Sequence, residues 1–292
     1  MSNGSYIMAH STDEAVQALL DAQGQGRILA GGTDLLVHMR SGSLKPQTVV
    51  DVKHIEEMMQ ITLHDDGSFT IGAAVSGAML SESSSFKAHW PGVLEAINLI
   101  GSTQVQGRAS PGGNLCNASP AGDSVPAMIA AGAVVTVQGP QGRREVPVEQ
   151  IPVGPGKTNL AHGEIVVSFH LPSKPNHTAD AYIRMIPRTE MDIAVVGCAV
   201  KLTMDQGVCV DARVGLGAVA PTPLLVPDAA AALVGSSLDE KALDLAAEAC
   251  RAACNPINDK RGTIDYRVQV AGVLLKRTTQ VAKQRAEEGL SS

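Results

Sequence analysis

The apolar positions of this chain fall in short runs, broken by glycine, proline and small polar residues, and the periodicity of those runs changes along the sequence. Ser11-Thr12-Asp13-Glu14 has the spacing of a capping box and opens a helix to about Ala22, which Gly24-Gln25-Gly26 ends. Arg27 to Ala30 reads as a short buried strand. A Gly-Gly turn follows, then a brief helix from Leu35 to about Arg40 and a second strand, Thr48 to Val52. This is a small α/β unit. Phe69 to Ala74 reads as a strand entering the next unit, and helices are expected from Pro91 to Ile100 and from Ser124 to Ala131. Ala133 to Val137 and Arg143 to Val148 flank Gly139-Pro140-Gln141-Gly142, a hairpin signature, and Ile165 to Leu171 is another β run. The last third changes character. Two β runs, Ala194 to Met204 and Val208 to Gly217, are joined by Asp205-Gln206-Gly207 as an antiparallel hairpin. After the turn-rich Ala220-Pro221-Thr222-Pro223 come two helices, one starting at the capping box Ser237-Leu238-Asp239-Glu240 and ending near Pro256, the other from about Tyr266 to Arg285. The chain contains no internal repeat and no low-complexity tract.

Composition narrows the function classes. At 292 residues the chain is long enough for two or three subdomains. A formal net charge of −6 and an aromatic content of 2% argue against a nucleic-acid role, since neither a basic surface nor base-stacking platforms are available. No apolar run approaches the ~18 residues needed to span a membrane. Met1-Ser2-Asn3-Gly4-Ser5 lacks the basic and apolar regions of a signal peptide, so a cytoplasmic chain is expected. Cys116, Cys198, Cys209, Cys250 and Cys254 are scattered and odd in number, which argues against a disulfide framework, and no Cys-x-x-Cys exists to hold an iron–sulfur cluster or zinc. Cys250 and Cys254 share a helix face and are read as core packing.

Two glycine-rich stretches carry the chemistry. A strand, paired glycines and a helix start, as in Ala30-Gly31-Gly32-Thr33-Asp34-Leu35, make an anion-binding arrangement in which free N–H groups and the helix end converge on a phosphate. The same residues are also compatible with a plain tight turn. The stretch lacks the G-x-G-x-x-G spacing of a dinucleotide site and has no P-loop lysine. Asp34 is an awkward neighbour for phosphates, so its expected task is to cap the helix or bind a neighbouring hydroxyl. Residues 110–123, Ser-Pro-Gly-Gly-Asn-Leu-Cys-Asn-Ala-Ser-Pro-Ala-Gly-Asp, are too rich in breakers to be regular throughout, and suit either an ordered connection or a wrap around an extended polar ligand. No G-x-S-x-G elbow or H-E-x-x-H is present, and none of the eight histidines has ligand spacing to another, so any catalysis here would rely on a bound cofactor.

These two stretches, together with Thr70-Ile71-Gly72-Ala73-Ala74, the segment Arg184 to Ile193, Gly217-Ala218-Val219-Ala220-Pro221-Thr222-Pro223 and Arg261-Gly262-x-x-x-Tyr266-Arg267, resemble the separate FAD-binding medium subunit of molybdenum hydroxylases of the xanthine dehydrogenase and carbon monoxide dehydrogenase type. The resemblance spans almost the whole chain. It implies an α+β fold: a two-part α/β FAD-binding domain of the vanillyl-alcohol-oxidase (PCMH-like) kind, residues 1–54 and 55–176, followed by an antiparallel sheet with a C-terminal helical bundle, residues 177–292. It implies a large partner subunit with the molybdenum cofactor and a small one with two [2Fe-2S] clusters, arranged as a dimer of heterotrimers. Electrons would pass through the clusters to FAD in this chain and on to an external acceptor.

For the site, the resemblance implies that Leu29, Ala30, Gly31, Gly32, Thr33, Asp34 and Leu35 cradle the pyrophosphate, and that Ser110, Gly113, Asn114, Cys116 and Asn117 complete the grip. Asp123 would serve the ribose or adenosine end or brace the loop. Ile71 and Ile193 would approach the isoalloxazine ring, and Val166 and Arg184 would line the nucleotide. The sequence departs from the family pattern at Val105-Gln106-Gly107, where Ile-Arg-Asn is usual, at Pro111, where an aliphatic residue is usual, and at Arg184, where lysine is common. Thr33-Asp34 also differs from the His-Ser of many carbon monoxide dehydrogenases. Two other readings compete at this level. One is a stand-alone FAD-dependent dehydrogenase or oxidase, which needs a substrate-side acid or base that the sequence does not offer. The other is a flavin-free assembly subunit, motivated by the altered residues 105–111.

Overall fold

The computed structural model describes residues 4–288; Met1, Ser2 and Asn3, part of the N-terminal reading above, and residues 289–292 lie outside it. The first unit is a parallel sheet in the order β1-β3-β2, built from β1 (Ser5–Met8), β2 (Gly26–Leu29) and β3 (Thr48–Asp51), with α1 (Thr12–Asp21) and α2 (Leu35–Ser41) in the connections. Ser11 caps α1 as its spacing requires, accepting from the Glu14 N–H at 3.2 Å. The Glu14 carboxylate reaches one residue further back and accepts from the His10 N–H at 2.7 Å. The buried side of α1, Ala15, Val16 and Ala18, packs on β3 and also on the neighbouring sheet, so this helix is a wedge between two sheets.

That second sheet is antiparallel, in the order β4-β5-β10-β6-β7. Its strands are β4 (Ile61–Leu63), β5 (Phe69–Gly72), β6 (Val134–Gly139), β7 (Gly142–Pro147) and β10 (Ile165–Leu171), and a small hairpin of β8 (Pro152–Gly154) and β9 (Lys157–Thr158) lies outside it. Central β10 is buried at every position but His170, which is why its sequence is a continuous apolar run rather than an alternation. Between β5 and β6 the chain makes α3 (Gly77–Glu82), α4 (Ser84–His89), α5 (Pro91–Ile97), α6 (Thr103–Gln106), α7 (Pro111–Cys116) and α8 (Ser124–Ala131). All eight residues of α8 are buried, so its apolar character runs right round the helix. The 91–100 helix stops at Ile97, and the 110–123 stretch is not irregular throughout: six of its residues form α7.

The third unit is an antiparallel sheet of β11 (Thr178–Met185), β12 (Val196–Asp205), β13 (Val208–Gly217) and β14 (Leu224–Leu225), covered by α9 (Pro227–Leu233), α10 (Glu240–Ala253) and α11 (Ile264–Glu288). The whole is the α+β architecture that the resemblance implies. Strand β11 has no apolar signature, because Thr178, Asp180 and Arg184 stand in it; it forms because all eight of its residues pair with β12. Helix α10 starts two residues later than its apparent capping box. Leu238 takes a left-handed conformation, φ 59°, and the Asp239 carboxylate, not Ser237, caps the helix by accepting from Ala242 N–H at 2.9 Å.

The units are joined by polar groups, Asp180 buried and Glu95 and Arg285 half-buried. Asp180 accepts from the Val93 N–H at 3.0 Å and from Lys174 at 3.3 Å, and the Lys174 ammonium lies 4.5 Å from the centre of the Trp90 ring. Glu95 accepts from the Tyr182 N–H at 3.1 Å and pairs with Arg285, whose guanidinium also donates to the Asp180 carbonyl at 2.8 Å. At the same seam a Cβ on Gly92 would lie 2.6 Å from the Ala181 nitrogen, so α5 meets β11 backbone to backbone. We expect Asp180→Asn to destabilise the protein by about 3–5 kcal/mol, because it strands a buried ammonium. Lys174→Met in the same chain should recover part of that loss, which urea denaturation of the single and double variants would measure.

Candidate functional site

The first glycine stretch leaves the C-terminal end of β2 and runs into α2. Gly32 sits at φ +78°, where a Cβ would also fall 2.8 Å from the Leu29 side chain. Gly31 is required for a different reason: its Cβ would lie 2.0 Å from the carbonyl oxygen of Arg108, so this turn rests directly on the backbone of the second unit. Asp34 stands at the N-cap of α2, but its carboxylate makes no capping bond, so the first of its two expected tasks is not met. The N–H groups of Gly31, Gly32, Thr33 and Asp34 also find no acceptor among the described residues. Orphan donors in a row at a glycine turn invite an anionic ligand.

The second stretch is built differently. Ser110, buried, caps α7 by accepting from the Gly113 N–H at 3.1 Å, and Gly112 donates to the Ala73 carbonyl at 3.0 Å. A Cβ on Gly112 would meet that carbonyl at 2.5 Å. Pro111 occupies the first helical position, where a missing N–H costs no helical bond. The Ser110 hydroxyl and the Gly113 N–H are therefore spent within the loop, while the Asn114 and Asn117 side chains remain for a ligand. The Asn114 carbonyl oxygen accepts from Ser124 N (3.2 Å) and Oγ (2.7 Å), which fixes the amide with its NH₂ unpaired among the described residues.

Together the stretches line one cavity of about 670 Å³, inside the range of roughly 300–1,000 Å³ typical of small-molecule sites. Ala30, Gly31, Gly32, Thr33, Asp34, Leu35, Ser110, Gly113, Asn114, Cys116, Asn117 and Val166 all line it. Five residues named from the resemblance do not. Leu29 is buried on the far side of the turn and lines a separate cavity between α2 and the first sheet. Ile71 is wholly inside the core, and Ile193 is about half exposed in the segment between β11 and β12. Asp123 and Arg184 pair with each other at 2.6 Å, with the Tyr182 hydroxyl donating to Asp123 at 2.9 Å. Asp123 thus braces the loop against β11, one of its two anticipated roles. Burial pushes its carboxyl up to about 6, against the opposing pull of Arg184 and Tyr182.

Sequence reasoning missed part of the lining. Met58, Leu160 and Ile165 supply apolar wall, and Gly156 is carried in by the β8–β9 hairpin, hooked to the loop by its N–H to the Ala118 carbonyl at 3.0 Å. Glu164 also lines the cavity. Its carboxylate is clasped by Arg144 through two bonds of 2.7 Å, which holds it below the usual glutamate range. No local motif marks any of these. Among the described residues no cluster of three or more His, Cys, Asp or Glu is placed to hold a metal, and no helix is long and apolar enough to cross a membrane.

Comparisons with known proteins bear on the family and the fold. A family described as the FAD binding domain in molybdopterin dehydrogenase matches residues 2–174, and one described as the CO dehydrogenase flavoprotein C-terminal domain matches residues 181–282. The xanthine dehydrogenase FAD-binding subunit of Escherichia coli is 31% identical over 95% of each chain. The carbon monoxide dehydrogenase medium chain of Afipia carboxidovorans is 34% identical over 97% of each. Among solved structures, a carbon monoxide dehydrogenase from Hydrogenophaga pseudoflava superposes with a TM-score of 0.92 at 33% identity, covering 97% of this chain and 98% of that one.

Because the Gly31 contact is backbone on backbone, no rotamer change can relieve a side chain there. Gly31→Ala should cost ~3 kcal/mol or more, or prevent folding. Gly113→Val should cost much less, since the only atom near its Cβ is the Ser110 Oγ at 3.2 Å. Thermal melts of the two variants would show the contrast.

Proposed function

The chain belongs to the family of FAD-binding subunits of molybdopterin dehydrogenases, the xanthine and carbon monoxide dehydrogenase group, and is an oxidoreductase subunit; from that premise we propose that its cavity holds FAD at the end of an electron relay. The observation that carries the reading is the run of four N–H groups, Gly31 to Asp34, unpaired among the described residues and lining a cavity of about 670 Å³ beside a second loop whose Asn114 amide is pre-oriented. The residues fit the group. Main-chain donors suit a pyrophosphate, the glycines allow it to approach the backbone, and the apolar wall of Val166 and its neighbours suits the flat ring systems.

In this reading Gly31, Gly32, Thr33 and Asp34 bind the pyrophosphate with N–H groups that are already in place, so little ordering is lost on binding. The Asn114 and Asn117 amides add side-chain donors from the opposite wall. Arg184, paired with Asp123, braces the second loop behind the nucleotide, and Ile193 is the residue expected to approach the isoalloxazine ring. Bound FAD supplies redox chemistry that couples one-electron donors to an external acceptor. The donor is a small subunit with two [2Fe-2S] clusters, itself fed by a large molybdenum-cofactor subunit, in a dimer of heterotrimers. Residues 1–54 and 55–176 form the two halves of the flavin domain, and residues 177–292 the third part.

Titration of the purified chain with FAD, NAD⁺ and ATP, followed by fluorescence and by chromatography of released nucleotide, tests the assignment. We expect uptake of FAD alone, and loss of FAD retention in Gly113→Val with the fold intact, because the valine side chain occupies the cavity between the two loops. A folded Gly113→Val chain that keeps its full complement of FAD would count against this use of the loop.

A further inference from the structure

We infer that Arg267 is a positioning residue for the ring end of the flavin site, acting from the first turns of α11; the inference rests on the FAD reading given above. Arg267 is buried, with 4% of its surface exposed, yet none of its hydrogen-bond partners lines the cavity. Its guanidinium instead gathers three separate segments. It donates to the Val195 carbonyl at 2.6 Å and the Ala218 carbonyl at 3.2 Å, and pairs with Asp259 at 2.8 Å.

Each of those partners holds something nearer the site. Val195 closes the strap, residues 186–195, that leads from Arg184 past Ile193 into β12; its N–H bonds back to the Met185 carbonyl at 2.8 Å. Ala218, at φ 63°, donates its N–H to the Pro120 carbonyl at 2.7 Å, and Pro120 belongs to the loop whose first half lines the cavity and whose Asp123 grips Arg184. Asp259 accepts from the Arg261 N–H at 2.8 Å, so orienting the Arg261 side chain, whose guanidinium lies 3.6 Å from Asp192 of the strap. Asp192 in turn takes Arg188 at 3.2 Å and its neighbour Ile193 N–H at 2.8 Å. Ile193, the strap residue expected at the isoalloxazine ring, and the Asp123–Arg184 pair behind it therefore all hang from a frame that closes on one guanidinium. The planar fork of arginine is what reaches three acceptors in fixed directions; a lysine ammonium at the same place is a point charge on a flexible stem and does not.

The phosphate grip at Gly31 to Asp34 lies outside this frame, which separates the two functions experimentally. In the FAD-loaded chain, Arg267→Lys and Asp192→Asn should each leave FAD affinity within a factor of about three, while iodide quenching of the flavin fluorescence rises about fivefold, as expected for an opening equilibrium that has lost a hydrogen bond. The visible flavin band should shift with it, a change that a general loss of stability does not produce. If Arg267→Lys fails to fold, Asp192→Asn decides, because it loosens the same strap without touching the Arg267 guanidinium. Wild-type quenching and an unmoved visible band in a folded variant with FAD bound would overturn the inference. A wild-type chain that takes up no FAD in the same titration would instead overturn the flavin reading.

Discussion

The cavity exists because two backbones touch where no side chain can stand. Gly31 lies against the Arg108 carbonyl and Gly112 against the Ala73 carbonyl, at separations that leave no room for a Cβ at either place. The first contact presses the parallel sheet of β1 to β3 onto the helical layer of the second unit. The second ties the loop of α7 to the end of β5. With both closed, the turn after β2 and the loop before α8 face each other across the ligand space, and the donors of one complement the amides of the other. A site made this way is rigid, since its walls are main chain anchored in two sheets rather than side chains free to change rotamer.

Polar groups do a different task in this protein. Asp180 and Asp123 are withdrawn from water and Glu95 is half-buried, and each is matched by a cation and by at least one further donor. Such pairs add little net stability compared with apolar packing, but mispairing them is costly, so they select one way of seating the third unit on the second. The same logic places Arg267 between the strap, the Ala218 turn and the Asp259 turn. Seating matters here because Arg184 and Ile193 come from the third unit, while the two glycine stretches that line the cavity come from the first and second.

Much of this was legible in the chain. Helix α1, the hairpin of β6 and β7, buried β10 and the pair β12 and β13 follow from capping and periodicity, because each is specified by neighbours within a few residues. Among the elements that were not legible, β11, α7 and the true start of α10 share a cause. Strand β11 is polar in composition and is made by its pairing with β12. Helix α7 hides in a run of breakers, although Ser110-Pro111 is the start signal of a short helix. The start of α10 turns on a left-handed Leu238, a conformation its sequence does not announce.

The candidate site divides along the same line. Local sequence determined that two glycine stretches would turn tightly, expose main-chain donors and carry small polar side chains, because those properties belong to the residue types themselves. It could not determine which donors would stay free. Gly112 and Gly113 spend theirs on Ala73 and Ser110, whereas Gly31 to Asp34 keep theirs, and the Asp34 carboxylate does not cap. Nor could it show that Glu164, Leu160 and Gly156 complete the wall, or that Asp123 turns away to Arg184. Those outcomes were decided by tertiary structure, because a hydrogen bond is available to a ligand only after every closer partner in the folded chain has made its claim.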